Sequence, residues 1–267
     1  MRYSIFLFSA IMFCLVSCKS NGNADQSVSQ ADESQEVAQQ QPENQISENS
    51  KYNPVDGRTF GVVGPVKEIH LSKALLSTTS TEEQGDPWLE SNTLEMTFDE
   101  YGRVTLDGLA GCKYVYDENG NFIKGFSDKT SLKRDDNGRI VLYDNTNVEG
   151  EDYSNINFDE YIAKSFEYDE LGRVSKATFS GWEWMTDYIY EYFGGNVYPV
   201  KTTYESAAES LVIKGTITYT YDKYDQNGNW TERHVTWDEE TREYGEQEPE
   251  VSKSEYLERR IIKYYAE

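Results

Sequence analysis

The chain has 267 residues with 25 lysines and arginines against 48 aspartates and glutamates, a formal net charge of −23. A field of that sign repels phosphate backbones and anionic headgroups, which excludes nucleic acid as a partner and leaves cations, cationic peptides and neutral glycans. Only two histidines and three cysteines are present, so chemistry built on imidazoles or thiols has little to draw on.

The first residues, "MRYSIFLFSAIMFCLVSC", carry one charge at Arg2, an apolar run from Ile5 to Val16, and Ser17 before Cys18. This is the pattern of a secretory leader, too short and too sharply ended to span a bilayer. Its end resembles the lipobox of bacterial lipoproteins. That resemblance implies a signal peptide over 1–17, cleavage before Cys18, and acylation of Cys18 as a membrane anchor. Several acyl chains, each methylene worth about 0.8 kcal/mol, would make attachment effectively permanent. Lys19 follows in place of the aspartate that retains many lipoproteins in the inner membrane, so the resemblance favours the outer membrane of the cell envelope.

Residues 18–57 read as the lipidated cysteine and a disordered tether, "KSNGNADQSVSQADESQEVAQQQPENQISENSKYNPVD", with no aromatic before Tyr52. Such a stretch cannot bury enough surface to offset its ordering entropy. At roughly 5 to 6 Å times the square root of length, its reach is on the order of 35 Å.

Residues 58–267 are expected to form one repeating domain. "GPVKEIHLS" opens it as a strand, and Thr78 to Trp88 reads as a polar loop. One word then recurs: "FDEYGRV" (98–104), "YDENGNF" (116–122), "RDDNGRI" (134–140), "YDELGRV" (168–174) and "YDQNGNW" (224–230). A turn prefers Asp at its first position and Gly, in a left-handed conformation, at its fourth. The pairs Asp99 and Gly102, Asp117 and Gly120, Asp135 and Gly138, Asp169 and Gly172, and Asp225 and Gly228 are therefore assigned to hairpin turns. Tyr168 should face Val174, Phe98 should face Val104, and Asp169 should neighbour Arg173. The aspartates are 18, 18, 34 and 56 residues apart, the spacing of a degenerating repeat.

Between the words the chain alternates as strands do, as in "TITYTYD", with Ile217, Tyr219 and Tyr221 on one face. Degenerate hairpins are expected at 143–152, 191–198 and 237–244, a weak helix at 204–213, and a closing strand at "LERRIIKYY". With few apolar residues other than tyrosine, a thick two-layer core is undersupplied. The expected fold is all-β, with consecutive antiparallel hairpins forming a long twisted, partly curled sheet packed largely by tyrosine.

These words resemble the YD repeats of the Rhs family, centred on Tyr-Asp-x-x-Gly-Arg and an apolar residue. Tyr168, Asp169, Gly172, Arg173 and Val174 match position by position; Asn229 replaces the arginine in one unit and Arg134 the tyrosine in another. The chain is also similar to small Rhs-like lipoproteins of Bacteroidetes, with their "GPVKEI" and "YDQNGNWTERHV" segments. The resemblance implies hairpin-repeat architecture and assigns no activity.

No HExxH, GxSxG, P-loop or dinucleotide fingerprint occurs. Counting back five residues from Gly120, Gly138 and Gly228 gives Val115, Lys133 and Lys223 where an EF-hand needs a carboxylate, which excludes that calcium loop. His70 and His234 read as strand histidines and Cys112 as a buried small apolar residue. No catalytic residue, metal site or cofactor is assigned. Trp182 and Trp184 are expected on one side of a strand, and Trp230 and Trp237 beside a later hairpin. As exposed indoles they would stack on sugar rings or grip a partner's apolar anchor; as packing they would cover a thin sheet. The expectation is a non-enzymatic envelope lipoprotein that binds a protein or peptide, with a glycan-binding lipoprotein as the alternative and a hydrolase third.

Overall fold

The computed structural model describes residues 56–79, 93–108, 111–147, 160–245 and 248–265. The leader, Cys18, most of the tether, the greater part of the 78–88 segment and residues 148–152 of the 143–152 segment lie outside the described residues. A one-turn helix, α1 (Gly57–Phe60), ends on Gly61 in the left-handed region and leads into β1 (Val66–Thr78). β1 pairs with β2 (Thr93–Phe98), β2 with β3 (Val104–Asp107), and β3 with β4 (Cys112–Lys113), all antiparallel. β5 (Val115–Tyr116) and β6 (Phe122–Lys124) form a separate small hairpin.

From β7 (Ser131–Arg134) onward each strand pairs antiparallel with its successor: β8 (Ile140–Asp144), β9 (Ala163–Tyr168), β10 (Val174–Gly181), β11 (Trp184–Glu191), β12 (Lys201–Ala208), β13 (Leu211–Tyr224), β14 (Trp230–Glu243) and β15 (Glu250–Tyr264). β15 then pairs with β1, setting Ile69 opposite Ile262. The first and last strands therefore meet inside an open 13-stranded sheet whose outer strands are β4 and β7.

Alternation explains the strands. In β13, Ile217 and Tyr221 are buried while Thr218 and Thr220 are exposed. One core draws Val66 and Ile69 from β1, Phe98 and Val104 from β2 and β3, Ile140 and Tyr143 from β8, and Phe166 and Val174 from β9 and β10. Strands near both ends of the sheet thus share one interior, so the sheet bends back over itself. Rings supply much of the packing: Phe98, Phe60, Phe166, Phe179, Tyr188, Tyr204, Trp237 and Tyr256 make a chain of contacts with centroids 5.4 to 6.4 Å apart.

Three local expectations are corrected. The 204–213 segment is strand, turn and strand: β12 runs to Ala208 and β13 begins at Leu211, because continuous pairing on both sides outweighs a weak helical preference. The 237–244 segment is no hairpin but the far half of β14, held against β13 from Trp237 to Glu243, and the chain turns afterwards at Tyr244 and Gly245. Trp182 and Trp184 do not share a strand, since Gly181 pairs with Trp184 and leaves Trp182 and Glu183 as a two-residue turn, Glu183 at φ 63°. Just ahead of residue 58, Asp56 and Gly57 are also buried. Asp56 accepts the Val104 amide at 2.8 Å and binds Arg134 at 2.5 Å.

Candidate functional site

The repeated aspartates shape their own turns, and the second oxygen of Asp225 also accepts the Tyr264 hydroxyl of β15. At each of the five, the glycine amide donates to the aspartate carbonyl at 2.9 to 3.1 Å, with glycine φ between 75° and 85°. Each Oδ1 accepts two further amides, as Asp169 does from Leu171 and Arg173. In three turns an arginine binds the other oxygen: Nε of Arg103, Arg139 and Arg173 lies 2.6 to 2.7 Å from Oδ2 of Asp99, Asp135 and Asp169. Burial pushes the carboxyls of Asp135 and Asp169 up, and Arg139 and Arg173 more than reverse this; the Asn121 amide lowers Asp117. Such carboxylates have their lone pairs occupied and are poor proton acceptors.

Those arginines also reach the next turn. Arg103 lies 4.7 Å over the Tyr116 ring, and a Cβ on Gly120 would meet its Nη1. Arg139 lies 4.3 Å over Tyr168 and beside Gly172 in the same way. Arg173 stacks 4.2 Å over Tyr192 and donates to the carbonyls of Gly194 and Asn196, in the connection between β11 and β12. Asn121 stands where an arginine would, and the following unit has Arg134 in place of tyrosine; that arginine turns to Asp56.

The four tryptophans do not form an exposed row. Trp230 is 1% exposed, with the guanidinium carbons of Arg233 and Arg260 at 4.1 and 3.9 Å from its ring centre. Trp237 donates to the Tyr204 hydroxyl and packs on Tyr256; Trp184 lies against Gly181 and the main core. Trp182 is the exposed one, at 37%, meeting Tyr161 edge to face. Residues 230 and 237 are apart in role because β14 runs straight between them, its near end closed by the Arg233–Glu258 and Arg260–Glu95 pairs.

Sequence reasoning did not identify these buried charges, whose partners are up to 165 residues apart. Burial alone would raise the Glu258 carboxyl, yet Arg233, with Lys73 and Arg260, holds it below the usual carboxylate range. Lys164 of β9 meets Asp107 of β3 at 2.5 Å, both buried. Cys112 beside them is fully buried, its thiol pushed up to about 11 by burial, which marks it as unreactive. His70 on β1 faces Glu68, and His234 on β14 meets Asp222 at 2.8 Å; the two imidazoles do not converge. Among the described residues no group of three or more His, Cys, Asp or Glu side chains is placed to hold a metal ion.

The opposite face of β11 to β15 carries an open groove of about 800 Å³. Register across the strands sets Asp187, Glu205, Lys214, Glu240 and Val251 in one line on this face. Met185 at 49%, Ile189 at 52% and Val251 at 71% are exposed along it. Lys176 and Lys214 pair with Asp187 and Glu205, while Asp238 and Glu240 add further carboxylates. The groove thus offers apolar contact inside a negative field. No protein-family model matches the chain, and no curated protein matches it.

Proposed function

We propose that this protein is a non-enzymatic lipoprotein of the cell envelope, anchored through Cys18, that holds a basic protein segment or peptide in the groove across β11 to β15. The groove carries this reading: exposed methionine, isoleucine and valine side chains lie among acids that outnumber the one lining lysine, Lys214. Apolar area supplies affinity, and the surrounding charge selects a partner of opposite sign. The leader and its cysteine support the location, with the outer membrane favoured by Lys19. The Rhs-like words support descent from a repeated, twisted hairpin sheet, in which each turn is a structural unit. The glycan alternative loses its motive, since the indoles it required are spread between core and turn.

The test has two arms. Cys18→Ala should release the chain from the membrane fraction; retention would overturn the anchor. An alternating lysine–leucine peptide should bind the full chain with salt-sensitive affinity, and a glutamate–leucine peptide should not. Ile189→Lys with Asp238→Lys should weaken binding at least about tenfold, the loss of roughly 1.4 kcal/mol. Equal binding of both peptides would overturn the groove reading.

A further inference from the structure

The Lys164–Asp107 contact is among the ion pairs most completely withdrawn from water. Lys164 is 1% and Asp107 4% exposed, and the Nζ to Oδ2 distance is 2.5 Å. The residues come from β9 and β3, which are not neighbours in the sheet but face one another across the interior. Phe179 lies 5.2 Å from the ammonium, and Cys112, Tyr114 and Tyr143 are buried in the same core. Two polar atoms here have no hydrogen-bond partner among the described residues: the second oxygen of Asp107, Oδ1, and the hydroxyl of Tyr114.

This is the arrangement in which an amine and a carboxyl become reactive toward each other. Taking both charges out of water costs several kcal/mol per ion, which narrows the gap between the ion pair and the neutral amine–acid pair. Burial opposes the Lys164 ammonium, and the Asp107 contact more than restores it. One proton passing from Nζ to Oδ2 along the existing contact gives a free amine against a protonated acid. The amine is already held beside the carbonyl carbon, the geometry that replaces a bimolecular encounter with an intramolecular one.

We propose that Lys164 and Asp107 condense within the folded chain to an isopeptide bond that fastens β9 to β3. The bond from Nζ to Cγ forms and the bond from Cγ to Oδ2 breaks. Of the three ammonium protons, one stays on the amide nitrogen and two leave with Oδ2 as water. No oxidant, reductant or cofactor is consumed. The cross-link joins strands close to opposite edges of the sheet and fixes the bend that encloses the core. It is independent of what occupies the groove.

The experiment is a tryptic map of the denatured full-length chain. A cross-link joins residues 104–113 to residues 140–173, with no cleavage after Lys164, in one branched peptide lighter by one water than the sum of its parts. Recovery of residues 104–113 as an unmodified linear peptide in full yield, with cleavage after Lys164, would overturn the proposal. Loss of water confined to residues 104–113 would mean a cyclic imide at Asp107–Gly108, which also overturns it; the Gly108 amide is instead engaged with the Glu95 carbonyl at 2.5 Å. Lys164→Arg retains the charge but not the attacking amine, and should remove the branched species and lower the denaturant midpoint. Should that variant fail to fold, the wild-type map alone decides.

Discussion

Asp169 accepts amides from Leu171 and Arg173 on one oxygen and the Arg173 guanidinium on the other, so this carboxylate, conspicuous in sequence, is spent on shaping a turn. The same holds for Asp135, and both are held below their ordinary range in the folded chain. The unfolded chain therefore takes up protons first as pH falls. Their contribution to stability is present above the unfolded value, about 3.9, and is lost as pH drops through it to the lowered folded value. Thermal melts should show the transition falling steeply below about pH 4, with a shallower slope in Asp135→Asn/Asp169→Asn, since asparagine keeps the turn without titrating. An unchanged slope would refute the linkage. Glycine in these turns has two separable duties. Gly120 and Gly138 both sit at positive φ, but a Cβ on Gly120 would meet Arg103 while one on Gly138 meets nothing within 4 Å. Each alanine variant should cost about 1 to 2 kcal/mol for backbone strain, and Gly120→Ala should cost more than Gly138→Ala in urea unfolding.

At the scale of elements, the arginine closing one turn stacks on the aromatic opening the next, so successive hairpins are coupled through a guanidinium as well as through the ladder. This accounts for the paired exception in the second and third words. Asn121 provides no cation to stack, and Arg134 in the following unit is free to reach Asp56 and Gly138 instead of being repelled. Arg139→Lys keeps the charge but loses the planar fork and should cost about 1 kcal/mol. A double-mutant cycle with Tyr168→Leu should return a coupling of similar size; additivity would show that the stack contributes nothing. Alternation made the strands legible, and turn chemistry made the five Asp-x-x-Gly corners legible. The straight run of β14 was not, because "WDEETRE" is polar and looks like a loop until β13 and β15 are placed on either side of it.

For the whole molecule, the first and last strands complete one another: β1 pairs with β15 over residues nearly 200 apart, and β15 lies between two long partners. A chain ending before Glu250 would leave β14 and β1 without that neighbour and open the core around Ile69. Such a truncation should lose its cooperative unfolding transition, read by tyrosine and tryptophan fluorescence. Folding of the full chain should be slow for its size, because the closing contact is non-local. Trp230→Ala removes the indole that Arg233 and Arg260 pack against and should cost about 3 to 5 kcal/mol; a loss below about 1 kcal/mol would show that the ring is dispensable.

The sequence by itself determined the secondary structure class, the antiparallel pairing of neighbouring strands and the corners between many of them. These are decided over a few residues, by side-chain period and by the positive φ that glycine alone adopts without strain. It also marked the leader and Cys18 as a pattern read from contiguous residues. Only the tertiary structure decided which charges are buried, that Trp230 is a core residue while Trp182 is exposed, that β15 joins β1, and that acids from three strands line one groove. Those outcomes depend on side chains distant along the chain being brought onto one face. Local pattern carries no information about such distances, and Lys164 and Asp107, 57 residues apart in sequence and in contact at 2.5 Å in space, are the clearest instance.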